Sequence, residues 1–376
     1  MSSEFLPSKQ RRQSQKPING KNMEEVEKLN RVIASLKMVE PEPELLDFAS
    51  CDDDTYRCLA NIGTLLCTKM IPGDSSFYLL DSPKKQATVI HNLSVVVVFK
   101  GMLSFIFRAA SLVAAATPCP TPAPAGTVTP WAENLGHWLE EGPFFFDDER
   151  FWWLQSPDHR VVFDFFVDNL FRFVVLHEIG HLHNMHSSRR ETLLNEELLS
   201  GTNTTDVAVE DLSVHLREII ADTYAFQFFL QELIEILAED DAHTNSQKDV
   251  AIALKSASFV TALYTIQLYF WLSAAIPSAR ASFALNSKKY PPHAFRMQAI
   301  ESTALEHINR ILPSALANKS LAQAMGKTQT ISQNVAGTED FIKWRIKLND
   351  PAFLEHYEKI CQGSPNWANR VFGVHD

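Results

Sequence analysis

Residues 161–186 combine an apolar helical pattern with titratable side chains, and this segment constrains the fold more than any other part of the chain. The apolar residues among 171–176 predict a helix buried in a core, where the local dielectric is low. His177 and His181 stand four positions apart, so their imidazoles lie on one face of that helix and can bind a single metal ion. The segment therefore predicts a buried helix with two metal ligands.

Glu178 follows the first of these histidines and projects about 100° around the helix from it. From there its carboxylate can reach a water on the metal without occupying a coordination position, which is the geometry of a general base. The HExxH pattern at 177–181 arises by chance in on the order of a percent of chains of this length. A second element is therefore needed to support a metal site.

Glu218 and Asp222 supply that element, because they also stand four positions apart on an apolar helical segment. Glu218 is predicted as the third metal ligand, which leaves the fourth position open, as a catalytic zinc site requires. Asp222 is predicted to accept the free ring N–H of a ligand histidine, with His177 the expected partner, and so to fix its tautomer. Ala221 would let the two helices approach closely.

Ordinary structural interpretations of the same residues compete with a metal site. Glu218 can pair with Arg217 or another cation, and Asp222 can end in a buried hydrogen bond. Di-iron bundles also use an ExxH unit such as 178–181, but they need a second one on a partner helix, and the sequence does not supply it. The paired motifs favour the metal site over these alternatives.

Two further histidines follow the first motif, and the sequence gives them no role in binding the metal. A metzincin would continue as HExxHxxGxxH, but Asn184 and Ser187 stand where that pattern has Gly and His. His183 and His186 are accordingly predicted to be surface or loop residues, with contact to a substrate as the alternative.

The two motifs, HEIGH at 177–181 and EIIAD at 218–222, resemble those of gluzincin metallopeptidases, in particular the prenyl-protein and heat-shock zinc peptidase group. Lit-type phage-exclusion peptidases carry a comparable motif. The segment YPPHAFR at 290–296 is similar to the HPP…R motif that follows in many such proteins, although Tyr290 stands where that motif usually has His. The resemblance covers residues 161–300 and does not extend to the remainder of the chain.

This resemblance implies a zincin-like domain with an active-site helix, a ligand helix and a small sheet whose edge strand aligns the substrate backbone. It also implies Zn²⁺ as the cofactor and a protein or peptide as the substrate. His293 and Arg296 are the candidates for stabilising the oxyanion of the reaction. The alternative for this segment is an ordinary helix start after two prolines.

Composition limits the other classes of function. The chain has 376 residues, 45% of them hydrophobic, which suffices for one large globular domain or two ordinary ones. Asp and Glu outnumber Lys and Arg by 45 to 34, so no overall positive field attracts nucleic acid, and no nucleic-acid partner is expected.

Five cysteines at irregular spacing form no disulfide framework and indicate a reducing, cytoplasmic setting. The sequence does not define an oligomeric state.

Two apolar stretches are tested as membrane spans. Residues 95–116 predict a buried strand that runs into a helix, because Lys100 and Arg108 disfavour a bilayer centre. Residues 256–279 carry no charge and are long enough to span a bilayer, but Ser, Thr and Gln dilute their hydrophobicity. A buried core helix is favoured for 256–279, and a membrane span is the alternative.

The predicted fold class is α+β and mainly α-helical, with two short strands within 76–90 and a core-forming aromatic cluster at 131–153. A disordered arm at 1–22 and a helical cap at 23–44 precede the zincin-like domain at 45–315, and a helical tail occupies 316–376. The predicted function is hydrolysis of a protein substrate by metal-activated water, with Glu178 as the general base. The alternative is a non-catalytic regulatory or binding protein that keeps the metal as a structural staple.

Overall fold

The computed structural model describes residues 23–36, 44–47, 54–120, 124, 129–186, 207–240, 247–276, 291–337 and 341–363. The chain divides into two compact units, Met1–Pro43 and Glu44–Asp376. The first unit contains helix α1 (Met23–Ser35), which confirms the helix predicted there. The predicted arm at 1–22 and the predicted loop at 187–206 lie outside the described residues.

The second unit holds the other described elements. Its strands are β1 (Glu44–Leu45), β2 (Ser76–Asp81), β3 (Ala87–Ile90) and β4 (Val95–Phe99). Its α-helices are α2 (Thr55–Met70), α3 (Lys100–Ala116), α4 (Leu135–Glu140), α5 (Pro157–His183), α6 (Val207–Asp240), α7 (Gln247–Ala275), α8 (His293–Ile308), α9 (Ser314–Ala336), α10 (Phe341–Ile346) and α11 (Pro351–Gly363). The protein is thus mainly helical with a small mixed sheet, which confirms the predicted α+β class at that level.

The sheet has the strand order β1-β2-β4-β3. Strand β4 is parallel to β2 on one side and antiparallel to β3 on the other. All five residues of β4 are buried, as a valine-rich strand covered on both faces requires. The strands predicted within 76–90 and at the start of 95–116 are confirmed. Strand β3 lies at the edge of the sheet and contacts α5, the helix that carries the first motif.

Helix α5 is central to the second unit and contacts α2, α3, α6 and α7. It begins at Pro157, which suits the first turn of a helix because the missing N–H has no partner to lose there. It therefore begins before the predicted segment 161–186 and ends sooner, at His183. Its apolar face is buried as predicted, with Phe163, Phe166, Leu170, Phe171, Phe173, Val175 and Leu176 in the core.

Helix α7 covers residues 256–275 of the apolar segment 256–279. By length and composition, Asp249–Ala275 is long and apolar enough to cross a membrane, a test that core helices also pass. It contacts α5, α6, α8 and α9, and its polar side chain Gln267 is fully buried. Gln267 donates to a carboxylate oxygen of Glu301 on α8 and accepts from the hydroxyl of Thr328 on α9, each over 2.7 Å. The buried amide of Gln267 is therefore hydrogen-bonded to side chains of two neighbouring helices.

The aromatic cluster at 131–153 belongs mostly to the core, as predicted. Its buried members are Trp131, Trp138, Phe144, Phe151 and Trp153, whereas Phe145 is exposed. Arg108 of α3 is also buried, with its guanidinium 5.3 Å from the centre of the Trp138 ring and 3.0 Å from Glu141. This contact explains how a charged residue is accommodated in the apolar helix α3.

The C-terminal helices pack onto the same unit. Helix α9 lies against α7, and α11 contacts α6. The predicted tail at 316–376 is thus helical in its described part, and the residues beyond 363 lie outside the described range.

Candidate functional site

Helices α5 and α6 bring the three predicted metal ligands together. The ligand atoms of His177, His181 and Glu218 all lie within 4.8 Å of one another. The two Nε2 atoms are 3.1 Å apart, and each lies 3.5 Å from a carboxylate oxygen of Glu218. Their side chains are 12%, 14% and 13% exposed, so the cluster is largely enclosed but still reachable from solvent. Two imidazoles and a carboxylate converging in this way can hold a metal ion.

The close approach of the two helices depends on small residues. A Cβ atom added to Gly180 would lie 3.1 Å from the Cα atom and the carbonyl oxygen of Ala221, and 3.2 Å from the ring of Tyr224. A larger residue at either position would push α5 and α6 apart. The small residue that each motif carries, glycine in one and alanine in the other, therefore has a packing function at the site.

Asp222 links one predicted ligand to a buried arginine. Its Oδ1 lies 2.9 Å from Nδ1 of His177, the predicted contact. Its two carboxylate oxygens also accept hydrogen bonds from Nε and Nη2 of Arg296, each over 2.6 Å. Arg296 extends to the ligand group as well, because its Nη2 is 3.5 Å from Glu218. The four residues form one buried network of alternating charge.

No protein-family model, curated protein or solved structure matches this chain. The resemblance to gluzincin metallopeptidases therefore rests on the residues of the motifs themselves and stays a prediction.

Burial and charge set the protonation of the cluster. Burial raises the pKa of Glu178 to about 7, with the neighbouring His177 opposing the shift. Burial alone would lower the pKa of His177, but its close contacts with the carboxylates of Asp222 and Glu218 outweigh that effect and raise the pKa to about 10. Burial lowers the pKa of His181 to about 3. The cluster therefore favours one cationic and one neutral imidazole among its carboxylates in the absence of a metal.

The prediction that His186 is a surface or loop residue is wrong. Its side chain is buried at 2% exposure, and its Nδ1 lies 2.8 Å from Nδ1 of His181. The chain turns inward there because Met185 adopts a left-handed conformation with φ of 48°. The local sequence does not predict that turn, because Met rarely adopts a positive φ. His183 is exposed, as predicted, with its ring 4.9 Å from Tyr224.

The two candidates for oxyanion stabilisation lie in different surroundings. Arg296 belongs to the network around Asp222. His293, the first residue of α8, is buried with its ring 5.9 Å from Phe270, and burial lowers its pKa to about 3. It lines a cavity of about 1100 Å³ whose described lining includes Trp131 and Trp271 but none of the three predicted ligands. Of the two, the structure brings Arg296 into direct contact with the ligand group.

Tyr269 of α7 is a neighbour of the site that the sequence did not single out. Its ring packs against Phe173 and Phe270 at 5.6 and 5.2 Å between centroids. Burial raises the pKa of its hydroxyl to about 12, and the positive charge of Arg296 acts in the opposite direction. In the sequence this tyrosine is one aromatic residue of an apolar helix, so its spacing predicts only core packing.

Proposed function

We propose that this protein is a zinc-dependent endopeptidase in which His177, His181 and Glu218 hold the metal. The observation that carries the proposal is the convergence of their three ligand atoms within 4.8 Å. A set of two imidazoles and one carboxylate suits zinc better than calcium or magnesium, which prefer oxygen ligands. Three protein ligands also leave a coordination position open, which a purely structural zinc site does not need.

Bound zinc would lower the pKa of a coordinated water and polarise a substrate carbonyl. Glu178 is the proposed general base, because it adjoins His177 in the sequence and is not one of the three proposed ligands. Its carboxylate would take a proton from the attacking water and deliver it to the leaving amine. The burial of Glu178, with 8% exposure, keeps competing solvent away from that carboxylate.

His177 would present an unprotonated Nε2 to the metal, with its Nδ1 hydrogen donated to Asp222. Arg296 would keep Asp222 ionised and fixed through its two hydrogen bonds. These contacts support a positioning role for Arg296 beside its proposed role at the oxyanion. His293 remains the other proposed oxyanion residue, on the resemblance alone.

The proposed substrate is an extended segment of a protein. Strand β3 is the edge strand that contacts α5, and an edge strand can bind a peptide backbone by strand addition.

The first test replaces Glu178 by Gln. Cleavage of a proteome-derived peptide library, followed by mass spectrometry, should fall by about 10²- to 10⁴-fold, because a general base contributes on that order. Zinc content by inductively coupled plasma mass spectrometry should stay near that of the wild type. Glu355→Gln is the matched control, since that carboxylate on α11 is exposed, and both activity and zinc content should be unchanged.

Undiminished cleavage by the Glu178→Gln variant would refute the mechanism. Stoichiometric zinc without any cleavage by the wild type would instead favour the non-catalytic, metal-stapled protein. Glu218→Ala should reduce zinc content in a folded protein, and full retention of zinc would remove Glu218 from the ligand set.

A further inference from the structure

After the end of α5, the chain brings His186 against His181, one of the three clustered residues. Asn184 closes the helix with hydrogen bonds from its backbone N and its Nδ2 to the carbonyl of Gly180, over 3.1 and 2.8 Å. Met185 then takes the left-handed conformation, which side-chain-bearing residues rarely adopt, while its own side chain is 52% exposed. After this turn, the side chain of the next residue, His186, is buried.

His186 meets His181 in a direct contact between ring nitrogens. The two Nδ1 atoms are 2.8 Å apart, and the rings cross at 73°. Only one hydrogen can lie between them. The Nε2 of His181 faces His177 and Glu218, so it must be unprotonated to bind a metal, and the hydrogen between the rings must then belong to Nδ1 of His181.

We propose that His186 is a positioning residue for the metal site, which accepts a hydrogen bond at its Nδ1 from Nδ1–H of His181. The contact would fix the ring and the tautomer of His181, the role that we propose for Asp222 at His177. The two ligand histidines would then be held differently, one by a carboxylate and one by a neutral imidazole. The inference rests on the metal site of the proposed function, although not on its peptidase activity.

Substitutions at His186 separate this role from simple packing. Asn places its Oδ1 where His has Nδ1 and so keeps the acceptor, whereas Leu fills similar space without one. Zinc affinity, measured by competition with a chromophoric chelator, should fall by about 10- to 100-fold in His186→Leu, as for other groups that orient a ligand. His186→Asn should recover most of that loss. His183→Leu is the matched control, because His183 is exposed and its ring lies beside Tyr224. The zinc affinity of this variant should equal that of the wild type.

Two spectroscopic measurements complete the test. The visible absorption of the cobalt-loaded protein should be altered in His186→Leu and close to the wild type in His186→Asn. In the zinc-loaded wild type, nitrogen NMR of the histidine rings should find hydrogen on Nδ1 of His181 and on Nε2 of His186. This second measurement needs no variant, so it decides the matter even if a substitution prevents folding.

The proposal is overturned if His186→Leu binds zinc as the wild type does, if Leu and Asn weaken binding equally, or if His186 carries its hydrogen on Nδ1. A wild type that binds no zinc would overturn both this inference and the proposed function. A wild type that binds zinc, follows the expected series and cleaves no peptide would sustain the inference and refute only the proposed hydrolysis.

Discussion

At the scale of single residues, the site contains a fully buried carboxylate, that of Asp222. Its side chain has no exposure to solvent, and it contacts both His177 and Arg296. Burial would raise its pKa, but Arg296 and then His177 outweigh that effect and lower it. An ionised carboxylate in this position is stable only while its partners remain, because a buried charge without a partner is costly.

Arg296→Met should therefore destabilise the metal-free protein by about 3–5 kcal/mol, the usual cost of breaking a buried ion pair. Asp222→Asn should also destabilise it, because Arg296 would lose its main partner. The double variant should be more stable than the sum of the two losses predicts, with a coupling energy of about 0.5–3 kcal/mol. Denaturant unfolding of the four metal-free proteins measures this coupling, and strictly additive losses would show that Arg296 does not act through Asp222.

Spacing in the sequence was sufficient to select the residues that cluster here. His177 and His181, like Glu218 and Asp222, are four apart, and helical geometry alone brings each pair to one face. His186 could not be found in this way, because its burial depends on the backbone conformation of Met185. The contact between Arg296 and Asp222 was also missed, since it joins residues 74 positions apart.

At the scale of elements, the contact between α5 and α6 determines whether the ligands can meet. The helices touch where Gly180 faces Ala221; His181 directly follows Gly180, and Glu218 lies three residues before Ala221. A change in helix separation at this point would alter the distance from His181 to Glu218 directly. Substitution of Gly180 is therefore expected to change the affinity of the proposed metal site, although Gly180 is not one of the proposed ligands.

Gly180→Ala should destabilise the protein by about 1–3 kcal/mol, the usual effect of overpacking, since the added Cβ meets backbone atoms. Gly180→Val should weaken zinc binding further as the helices separate. Gly326→Ala on α9 is the matched control, because an added Cβ there meets nothing within 4 Å. That exposed helical glycine should instead gain about 0.5–1 kcal/mol on substitution. Thermal unfolding and zinc competition check both results, and an unchanged Gly180→Val variant would contradict the packing argument.

Most elements could be predicted from their patterns, but their arrangement could not. The valine run of β4 and the apolar periodicity of α5 both follow from burial, which leaves a pattern in the local sequence. The insertion of β4 between β2 and β3 depends on long-range pairing, which no local pattern reports. The start of α5 at Pro157 was also missed, because the prediction followed the apolar pattern instead of the proline.

At the scale of the whole molecule, a buried polar network joins the C-terminal helices to the helices around the site. Glu301 of α8 accepts a hydrogen bond from Gln267 of α7 and pairs with Arg345 of α10. Thr328 of α9 completes the network by donating to Gln267. In the sequence, Gln267 is one polar residue within an apolar segment, so its hydrogen-bond partners could not be predicted. Four helices are fixed together by these side chains.

Among the described residues, Arg345→Ala would leave the buried Glu301 with its hydrogen bond from Gln267 as its remaining polar contact. Because Arg345 is 25% exposed and Glu301 7% exposed, we expect a loss of about 2–3 kcal/mol, below the roughly 3–5 kcal/mol of a fully buried pair. Arg310→Ala is the matched control, since its pair with Glu306 is at the surface and should contribute at most about 1 kcal/mol.

Denaturant unfolding measures both losses, and zinc competition should find the affinity of Arg345→Ala unchanged, because the contacts of Arg296 with Asp222 remain intact. Equal losses in the Arg345 and Arg310 variants would mean that the network adds nothing beyond a surface pair. A weaker zinc affinity in Arg345→Ala would mean instead that α8 transmits the change to the ligand cluster, which would make the C-terminal helices part of the functional site.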